Sequence, residues 1–165
     1  MINLFIKTES QKKWLQQLHE LESKFKRTAA QIDERAIFPK DNIQDLVNIG
    51  YTSITLPTAY GGKGLGVYNM VLFQETLASF DENTALSIGW NLGVVGDIFD
   101  KKHWDQMKLD LFAKEVISGA LTNRFVREAQ TGSPSKGGRP ETTALRKEGH
   151  WILSGLKNLQ QRLRH

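Results

Sequence analysis

The stretch QETLASFDENTAL, residues 74–86, decides how the middle of the chain is organised. A helical pattern begins before this stretch and continues into it, with Leu72 and Glu75 on successive turns. Asp81 is a residue type that often caps the start of a helix. We therefore predict a helix over about 68–80 and a break over 81–84. An apolar helix should then run from Ala85 to about Phe99.

A long amphipathic helix is predicted upstream, from about Ser10 to Ile32. Its apolar residues recur at i, i+4, i+7 and i+11, which places them in one stripe. They are Trp14, Leu18, Leu21 and Phe25, while Lys12, Lys13, Gln16, Gln17 and Glu20 occupy the other face. Such a stripe must dock on other helices, because burying each large side chain contributes roughly 1.5–3 kcal/mol.

Two shorter helices complete the helical part. Asp41, soon after Pro39, is the expected N-cap of the second helix, and Gly50 is its expected stop. Ile43, Leu46 and Val47 form its apolar face, and a glycine-rich loop follows over 51–67. A fifth helix, around 104–113, carries Met107, Leu111 and Phe112 on one side.

After Gly119 the pattern changes to short β-like segments. Residues 142–147 and 151–154 flank Glu148-Gly149-His150, which indicates a hairpin. Helices followed by strands predict an α+β protein, with an N-terminal all-α bundle and an incomplete antiparallel β segment. We predict an all-α domain over 1–117 and a partial β domain over 118–165.

Composition excludes several classes of function. Apolar residues make up 39% and charged residues 24%, which is typical of an ordinary globular domain. Cysteine is absent, so thiol catalysis and Cys-based metal sites are excluded, and we expect a cytoplasmic protein. No apolar run approaches the ~20 residues of a membrane span, and no secretory signal is expected. The net charge is +4, and basic residues are concentrated in the last third of the chain. Aromatic residues do not alternate with these basic residues, so we expect no nucleic-acid partner.

Several segments in order resemble one known family, the acyl-CoA dehydrogenases. AAQIDERAIFPKDNIQDLVNIGY (29–51), LPTAYGGKGL (56–65) and QETLASFDENTAL (74–86) are similar to its early helices and the loop between them. EAQTGSP (128–134) and GHWILSGLKN (149–158) resemble the opening of its middle β domain. The resemblance implies FAD as cofactor, an acyl-CoA substrate, and removal of an α proton with hydride transfer from the β carbon to flavin.

The resemblance also implies site residues. The chain near Glu128 should run beside the flavin, which makes Val126, Arg127, Gly132 and Ser133 the candidate cofactor-binding residues. Arg127 replaces the hydroxyl residue usual there, and it either pairs with a cofactor phosphate or is solvated. The candidate substrate-binding residues are Ser133 and Trp90, the latter narrowing the acyl pocket or belonging to the core.

The Gly-Gly-Lys-Gly of residues 61–64 has two interpretations. A phosphate-binding loop needs a preceding strand and a helix whose N-terminus points at the anion, and this loop lacks the full P-loop spacing, with no Ser or Thr after Lys63. The other interpretation is a tight turn between helices that uses glycines with positive φ.

No catalytic residue is predicted in this chain. The family's carboxylate base lies in a C-terminal helical domain, and Glu75 and Glu128 are expected to be surface or capping carboxylates. The four histidines have no metal-binding or catalytic spacing, so no metal site is expected.

The last residues depart from the family. Gly155, Leu156 and Lys157 match its pattern, but Leu159 replaces an aromatic residue and Gln161 a hydroxyl residue. The end, Arg162 to His165, resembles sequence read past a frameshift or a truncation.

Three functions follow as hypotheses. The first is an acyl-CoA dehydrogenase by descent whose shortened chain is inactive alone. The second is a non-catalytic module that binds acyl-CoA or a partner. The third is a related chemistry on the same scaffold, such as flavin-dependent oxygenation.

The β segment should be less stable than the bundle, because a few strands alone leave an edge unpaired. That edge could pair with another chain, including a second copy. We predict that amides of residues 142–154 exchange with solvent faster than those of the first helix. Equal protection in the two regions, measured by hydrogen exchange, would contradict this.

Overall fold

The computed structural model describes residues 2–124, 128, 137 and 139–157. In these residues five α-helices precede a two-stranded antiparallel sheet, which confirms the predicted fold class. The chain forms two compact units, residues 1–123 and 124–165. The elements are α1 (Glu9–Glu34), α2 (Lys40–Asn48), α3 (Val67–Ala78), α4 (Glu82–Lys101), α5 (Gln106–Ile117), β1 (Thr143–Lys147) and β2 (His150–Ser154), with short 3-10 turns at Ile2–Phe5, Tyr51–Ser53 and Thr58–Tyr60.

Helix α1 begins with a capping box. The backbone N–H of Gln11 donates to Thr8 Oγ1 over 3.2 Å, and the N–H of Thr8 donates to Gln11 Oε1 over 3.0 Å. Trp14, Leu18 and Phe25 are buried, so the predicted stripe is confirmed. The opposite face is exposed, as the charge pattern indicated.

Helix α2 begins differently from the prediction. Its N-cap is Pro39, which makes no side-chain capping bond, and Asp41 lies inside the first turn. The prediction of Asp41 as the cap is therefore wrong, although a carboxylate in a first turn still suits the helix dipole. Gly50 follows the helix with φ 75°, as the predicted stop requires.

The reversal between α3 and α4 is held by a buried polar cluster. Asp81 caps α4 by accepting from the N–H of Asn83 over 3.1 Å, as predicted. Its other oxygen accepts from the Thr84 hydroxyl and, over 3.1 Å, from Asn42 Nδ2. Asn42 Nδ2 also lies 3.0 Å from Thr84 Oγ1. All three of Asn42, Asp81 and Thr84 are buried, so α2 is fixed to the start of α4.

Helix α4 belongs to both hydrophobic cores of the helical unit. Ile88 and Leu92 pack with the residues of α1, α2 and α3, whereas Val95 and Phe99 pack with α5. The four positions are spaced i, i+4, i+7 and i+11, which is one continuous stripe. One helix therefore joins the two halves of the bundle.

Helix α5 buries only part of the predicted face: Phe112 is half-buried against the second core. Its buried residues are Leu109, Ala113 and Val116, while Met107 and Leu111 are exposed. Within the described part of the chain, none of the helices is both long and apolar enough to cross a lipid bilayer.

The C-terminal unit contains the predicted hairpin. Strands β1 and β2 pair in the register Lys147↔His150, Leu145↔Ile152 and Thr143↔Ser154. The connecting residues Glu148 (φ 47°) and Gly149 (φ 84°) both have positive φ, as a two-residue type I′ turn requires. All strand positions are exposed.

We predict that Asn42→Ala destabilises the helical unit by about 1–3 kcal/mol, because it leaves buried acceptors without their donor. Urea unfolding followed by circular dichroism measures the change. Gln44→Ala is the control on the same helix, since Gln44 is exposed and bonds only within α2 among the contacts described. Equal losses in both variants would show that the buried cluster does not contribute.

Candidate functional site

The glycine-rich loop folds back on the segment that precedes it. Gly61 (φ 85°) and Gly64 (φ 62°) adopt the left-handed conformation that favours glycine. A Cβ at Gly62 would lie 2.0 Å from the Leu56 carbonyl oxygen, so no other residue fits without a shift of the backbone. The loop is therefore a tightly packed turn.

The backbone donors of this loop are already used. The N–H groups of residues 61–65 donate to carbonyl oxygens of Thr58, Pro57, Ser53, Leu56 and Ile54, over 2.8 to 3.3 Å. A phosphate-binding loop needs such N–H groups to point at the anion. The turn interpretation is confirmed, and the phosphate interpretation is wrong.

A cleft of about 440 Å³, called the α4 cleft below, lies between this loop, the start of α3 and one side of α4. Most of its wall is apolar or glycine, with two carboxylates on the α4 side. Its lining residues are Thr55, Pro57, Gly64, Leu65, Gly66, Val67, Met70, Leu92, Gly93, Gly96, Asp97 and Asp100.

Two glycines of α4 open this cleft. A Cβ at Gly93 would meet no atom within 4 Å, so any larger side chain there would project into open space. At Gly96 a Cβ would touch Thr55 at 3.5 Å. The Thr55 hydroxyl in turn donates to the Leu92 carbonyl over 2.8 Å, which fixes the loop against α4. Small residues on one side of a helix thus create the space.

Trp90 lies on α4 with 52% of its surface exposed. That exposure removes the alternative in which it belongs to the core. It is not among the described residues that line the cleft. Its role in substrate binding stays a prediction.

The other predicted site residues, Val126, Arg127, Gly132 and Ser133, lie outside the described residues. The described C-terminal residues form only a hairpin whose strand positions are all exposed, and they do not enclose a flavin. We therefore assign no redox step to them.

Glu128 is buried, contrary to the expectation of a surface carboxylate, with 4% of its surface exposed. It accepts hydrogen bonds from the N–H groups of Glu141 at 2.6 Å and Thr142 at 3.0 Å. The Thr142 hydroxyl and Lys157 Nζ each lie 2.5 Å from Oε1. The carboxylate thereby joins the residues before β1 and after β2, so it does cap backbone groups.

This environment excludes Glu128 as a general base. The Lys157 ammonium, with the Thr142 hydroxyl and the two N–H groups, holds the pKa of Glu128 far below its usual range. A base needs a pKa near the working pH and a free lone pair near its substrate. Glu128 is a structural carboxylate.

Glu75 is exposed on α3, beside a surface groove of about 300 Å³ formed with Phe5, Tyr68, Val71 and Leu72. Among the described residues, no three His, Asp or Glu side chains come together as a metal site would require. Neither Glu75 nor Glu128, the two carboxylates considered from the sequence, is among the residues that line the α4 cleft.

Two polar residues of the helical unit were missed from the sequence. Asn91, buried in α4, donates to the Thr52 carbonyl over 3.3 Å and accepts from the Thr122 N–H over 2.8 Å. Asn91 therefore holds Thr122, at the C-terminal end of the helical unit, against α4. Gln74 donates to the Ala85 carbonyl over 2.7 Å, next to Gly89, where a Cβ would lie 2.2 Å from its Nε2. An Asn or Gln in an apolar helix was the available signal.

We predict that Glu128→Gln lowers amide protection of the hairpin, because it leaves Lys157 without its ionic partner. The folded pKa of Glu128 is depressed, so the stabilisation is full above the unfolded carboxyl pKa of about 4.3 and is lost as pH falls towards the folded value. Hydrogen exchange of Thr142 between pH 3 and pH 6 measures both effects. Glu141→Gln, an exposed neighbour, is the control and should change neither.

Comparison with known proteins identifies the family. The family model described as acyl-CoA dehydrogenase, N-terminal domain, matches residues 8–108, which include the whole α4 cleft. A protein of Bacillus subtilis (strain 168), named "Putative acyl-CoA dehydrogenase YdbM", is 46% identical over 156 residues, covering 94% of this chain and 41% of that protein.

Two further relatives are more distant. A 3-sulfinopropanoyl-CoA desulfinase of Advenella mimigardefordensis is 31% identical over 82% of this chain and 33% of its own length. "Probable acyl-CoA dehydrogenase FadE25" of Mycobacterium tuberculosis (strain H37Rv) is 29% identical over 78% of this chain and 32% of its own length. The chain thus spans less than half the length of each of these relatives. The helical unit, its glycine-rich turn and the match over residues 8–108 show that the chain belongs to the acyl-CoA dehydrogenase family.

Proposed function

We propose that this chain supplies the helical domain and the first hairpin of an FAD-dependent acyl-CoA dehydrogenase. The reaction would be α,β-dehydrogenation of an acyl-CoA thioester. The observation that carries the proposal is the α4 cleft, which lies wholly inside the segment that matches the family. We also propose a cytoplasmic location.

The lining of the cleft suits the acyl chain better than the CoA moiety. Leu65, Val67, Met70 and Leu92 supply apolar surface, and the glycines leave room beside the backbone of α4. Asp97 and Asp100 add negative charge at this wall, although Lys101 pairs with Asp97 at 2.8 Å. Carboxylates would repel the phosphates of CoA, so we expect the phosphates to bind elsewhere.

The chain alone is proposed to be inactive. FAD, when bound, supplies the hydride acceptor of this reaction, and a carboxylate base must reach the α carbon. Glu128 is held by Lys157, and Glu75 lies on the surface away from the residues that line the cleft. The base would therefore come from sequence beyond these residues, as the greater length of the relatives allows.

Two other functions use the same cleft. A binding module would keep the acyl chain without chemistry, which fits a cleft that neither Glu75 nor Glu128 lines and in which Asp97 pairs with Lys101. A related chemistry is favoured by the relative named as a desulfinase, because a protein with a different named reaction contains a similar segment. Flavin-dependent oxygenation belongs to the same class of alternatives.

Flavin binding separates these possibilities. We predict that the purified chain is colourless and does not recover flavin absorbance when it is incubated with FAD, because the described β residues do not enclose the ring. Visible absorbance after gel filtration is the measurement. A stoichiometric flavin spectrum would overturn the proposed inactivity and favour a self-sufficient flavoprotein.

The cleft is tested by filling it. We predict that Gly93→Leu weakens binding of a fluorescent long-chain acyl-CoA about 10-fold or more, equivalent to ~1.4 kcal/mol, because the side chain occupies the cleft. Gly93→Ala is the matched control. It should change binding little and stabilise α4 by about 0.5–1 kcal/mol, since its Cβ meets no atom.

Fluorescence titration and thermal unfolding of the same samples give the two readouts. Unchanged acyl-CoA binding in a folded Gly93→Leu protein would exclude the cleft as the acyl site. It would leave the family assignment intact.

A further inference from the structure

The α4 cleft changes in character along its length. Gly93, Gly96, Asp97 and Asp100 line it at positions i, i+3, i+4 and i+7 of α4, so they form one stripe along that helix. The stripe spans about 10 Å of helix. It begins with a glycine next to the apolar Leu92 and finishes with two carboxylates. One end of the cleft is therefore apolar, and the other end is acidic.

The acidic end contains no basic residue in its lining. Within the part of the chain that the structure describes, none of the residues that line the cleft is Lys, Arg or His. Asp97 pairs with Lys101 at 2.8 Å, but Lys101 is not one of the lining residues. Asp100 is exposed and has no ion-pair partner among the described residues. A ligand that enters this end of the cleft therefore meets negative charge.

The backbone of α4 adds to this negative charge. Asp100 lies in the last turn of the helix, which ends at Lys101, and Asp97 lies just before that turn. The C-terminal carbonyl groups of a helix carry partial negative charge, which favours cations and disfavours carboxylates there. Lys101 offsets the charge of Asp97, whereas Asp100 adds to that of the helix end. The stability of α4 does not account for a carboxylate at residue 100.

We propose that Asp97 and Asp100 determine which acyl groups the α4 cleft accepts. An acyl chain with an uncharged far end is bound, and an acyl chain that ends in a carboxylate or another anion is excluded. The inference rests on the proposed function, because it requires the cleft to be the acyl site. The selection acts by repulsion, since an anionic tail would lose its hydration and meet like charges.

The same charges set the orientation of the ligand. The phosphates of CoA are repelled by the carboxylates, so the CoA moiety lies away from Asp97 and Asp100 and the acyl tail points towards them. The apolar residues Leu65, Val67 and Met70 contact methylene groups, which neutral and anionic acyl chains share. An anionic tail needs a Lys or Arg as its partner at the far end. The residues of the cleft supply carboxylates there instead, so only the acidic end distinguishes the two kinds of chain.

Two ligands of equal size test the inference. They are a straight-chain acyl-CoA and the ω-carboxyacyl-CoA with the same number of carbon atoms. Each competes with the fluorescent long-chain acyl-CoA for the purified chain, and the readout is the ratio of the two dissociation constants. In the wild-type chain the ω-carboxy ligand should bind at least about 10-fold more weakly, because its tail faces like charges.

Substitutions at the acidic end should move this ratio in both directions. Asp100→Asn should lower it about 3-fold or more. Asp97→Asn combined with Lys101→Gln should also lower it, because the ion pair is removed without leaving an ammonium group behind. Lys101→Gln alone should raise the ratio, since Asp97 loses the cation that offsets its charge. A general effect on folding would not change the ratio with opposite signs.

Glu82→Gln is the matched control. Glu82 is an exposed carboxylate in the first turn of the same helix. It lies about 27 Å from Asp100 along the helix axis, well beyond the screening length of ~10 Å at 0.1 M salt. Its substitution removes one charge from α4 and should leave the ratio unchanged.

The possible failures are distinguishable. Equal dissociation constants for the two ligands in the wild-type chain would overturn the inference, and so would a ratio that neither Asp100→Asn nor Lys101→Gln changes. In both cases binding of the neutral ligand still supports the acyl site. A wild-type chain that binds neither ligand would overturn the proposed acyl site together with this inference. So would a folded Gly93→Leu variant that binds the neutral ligand as tightly as the wild-type chain does.

Discussion

The buried contact between Asn42 and Asp81 is the constraint on which the helical unit depends. It places a carboxylate out of water at the point where α3 turns into α4, and neutral donors from three positions satisfy it: Asn42, Thr84 and the N–H of Asn83. A buried carboxylate is costly unless its oxygens are bonded, so these groups must come together for the unit to fold. The contact sets where α4 begins and which side of it meets α2.

From that fixed start, α4 runs through both cores and forms one wall of the cleft. Its apolar stripe supplies Ile88 and Leu92 to one core and Val95 and Phe99 to the other. Glycines elsewhere on the helix leave space beside its backbone. Gly89 admits the Gln74 side chain, and Gly93 leaves the cleft open. The same helix therefore carries core packing and one wall of the candidate binding surface, and Leu92 belongs to both.

The two units are stabilised in different ways. The helical unit buries large side chains such as Phe25, Tyr51 and Phe73 completely. In the described part of the C-terminal unit, the strand side chains are exposed, and the buried group is the Glu128 carboxylate with its ring of donors. A hairpin of two strands is marginal in water unless another surface covers it. The family match, over residues 8–108, lies within the helical unit.

The sequence by itself determined the elements and the family. The stripe of α1, the Asp81 cap and the Glu148-Gly149 turn each follow from local rules of periodicity, capping and backbone conformation, and the structure agrees with them. The sequence wrongly predicted Asp41 as the N-cap of α2. For α5 it pointed to the face with the large side chains, whereas the buried residues are Leu109, Ala113 and Val116. A helix's buried face depends on what packs against it, which no local pattern records. Only the tertiary structure decided that Glu128 pairs with Lys157 and that residues 55, 93 and 96 border one cleft, because these groups are far apart in sequence and meet only after folding.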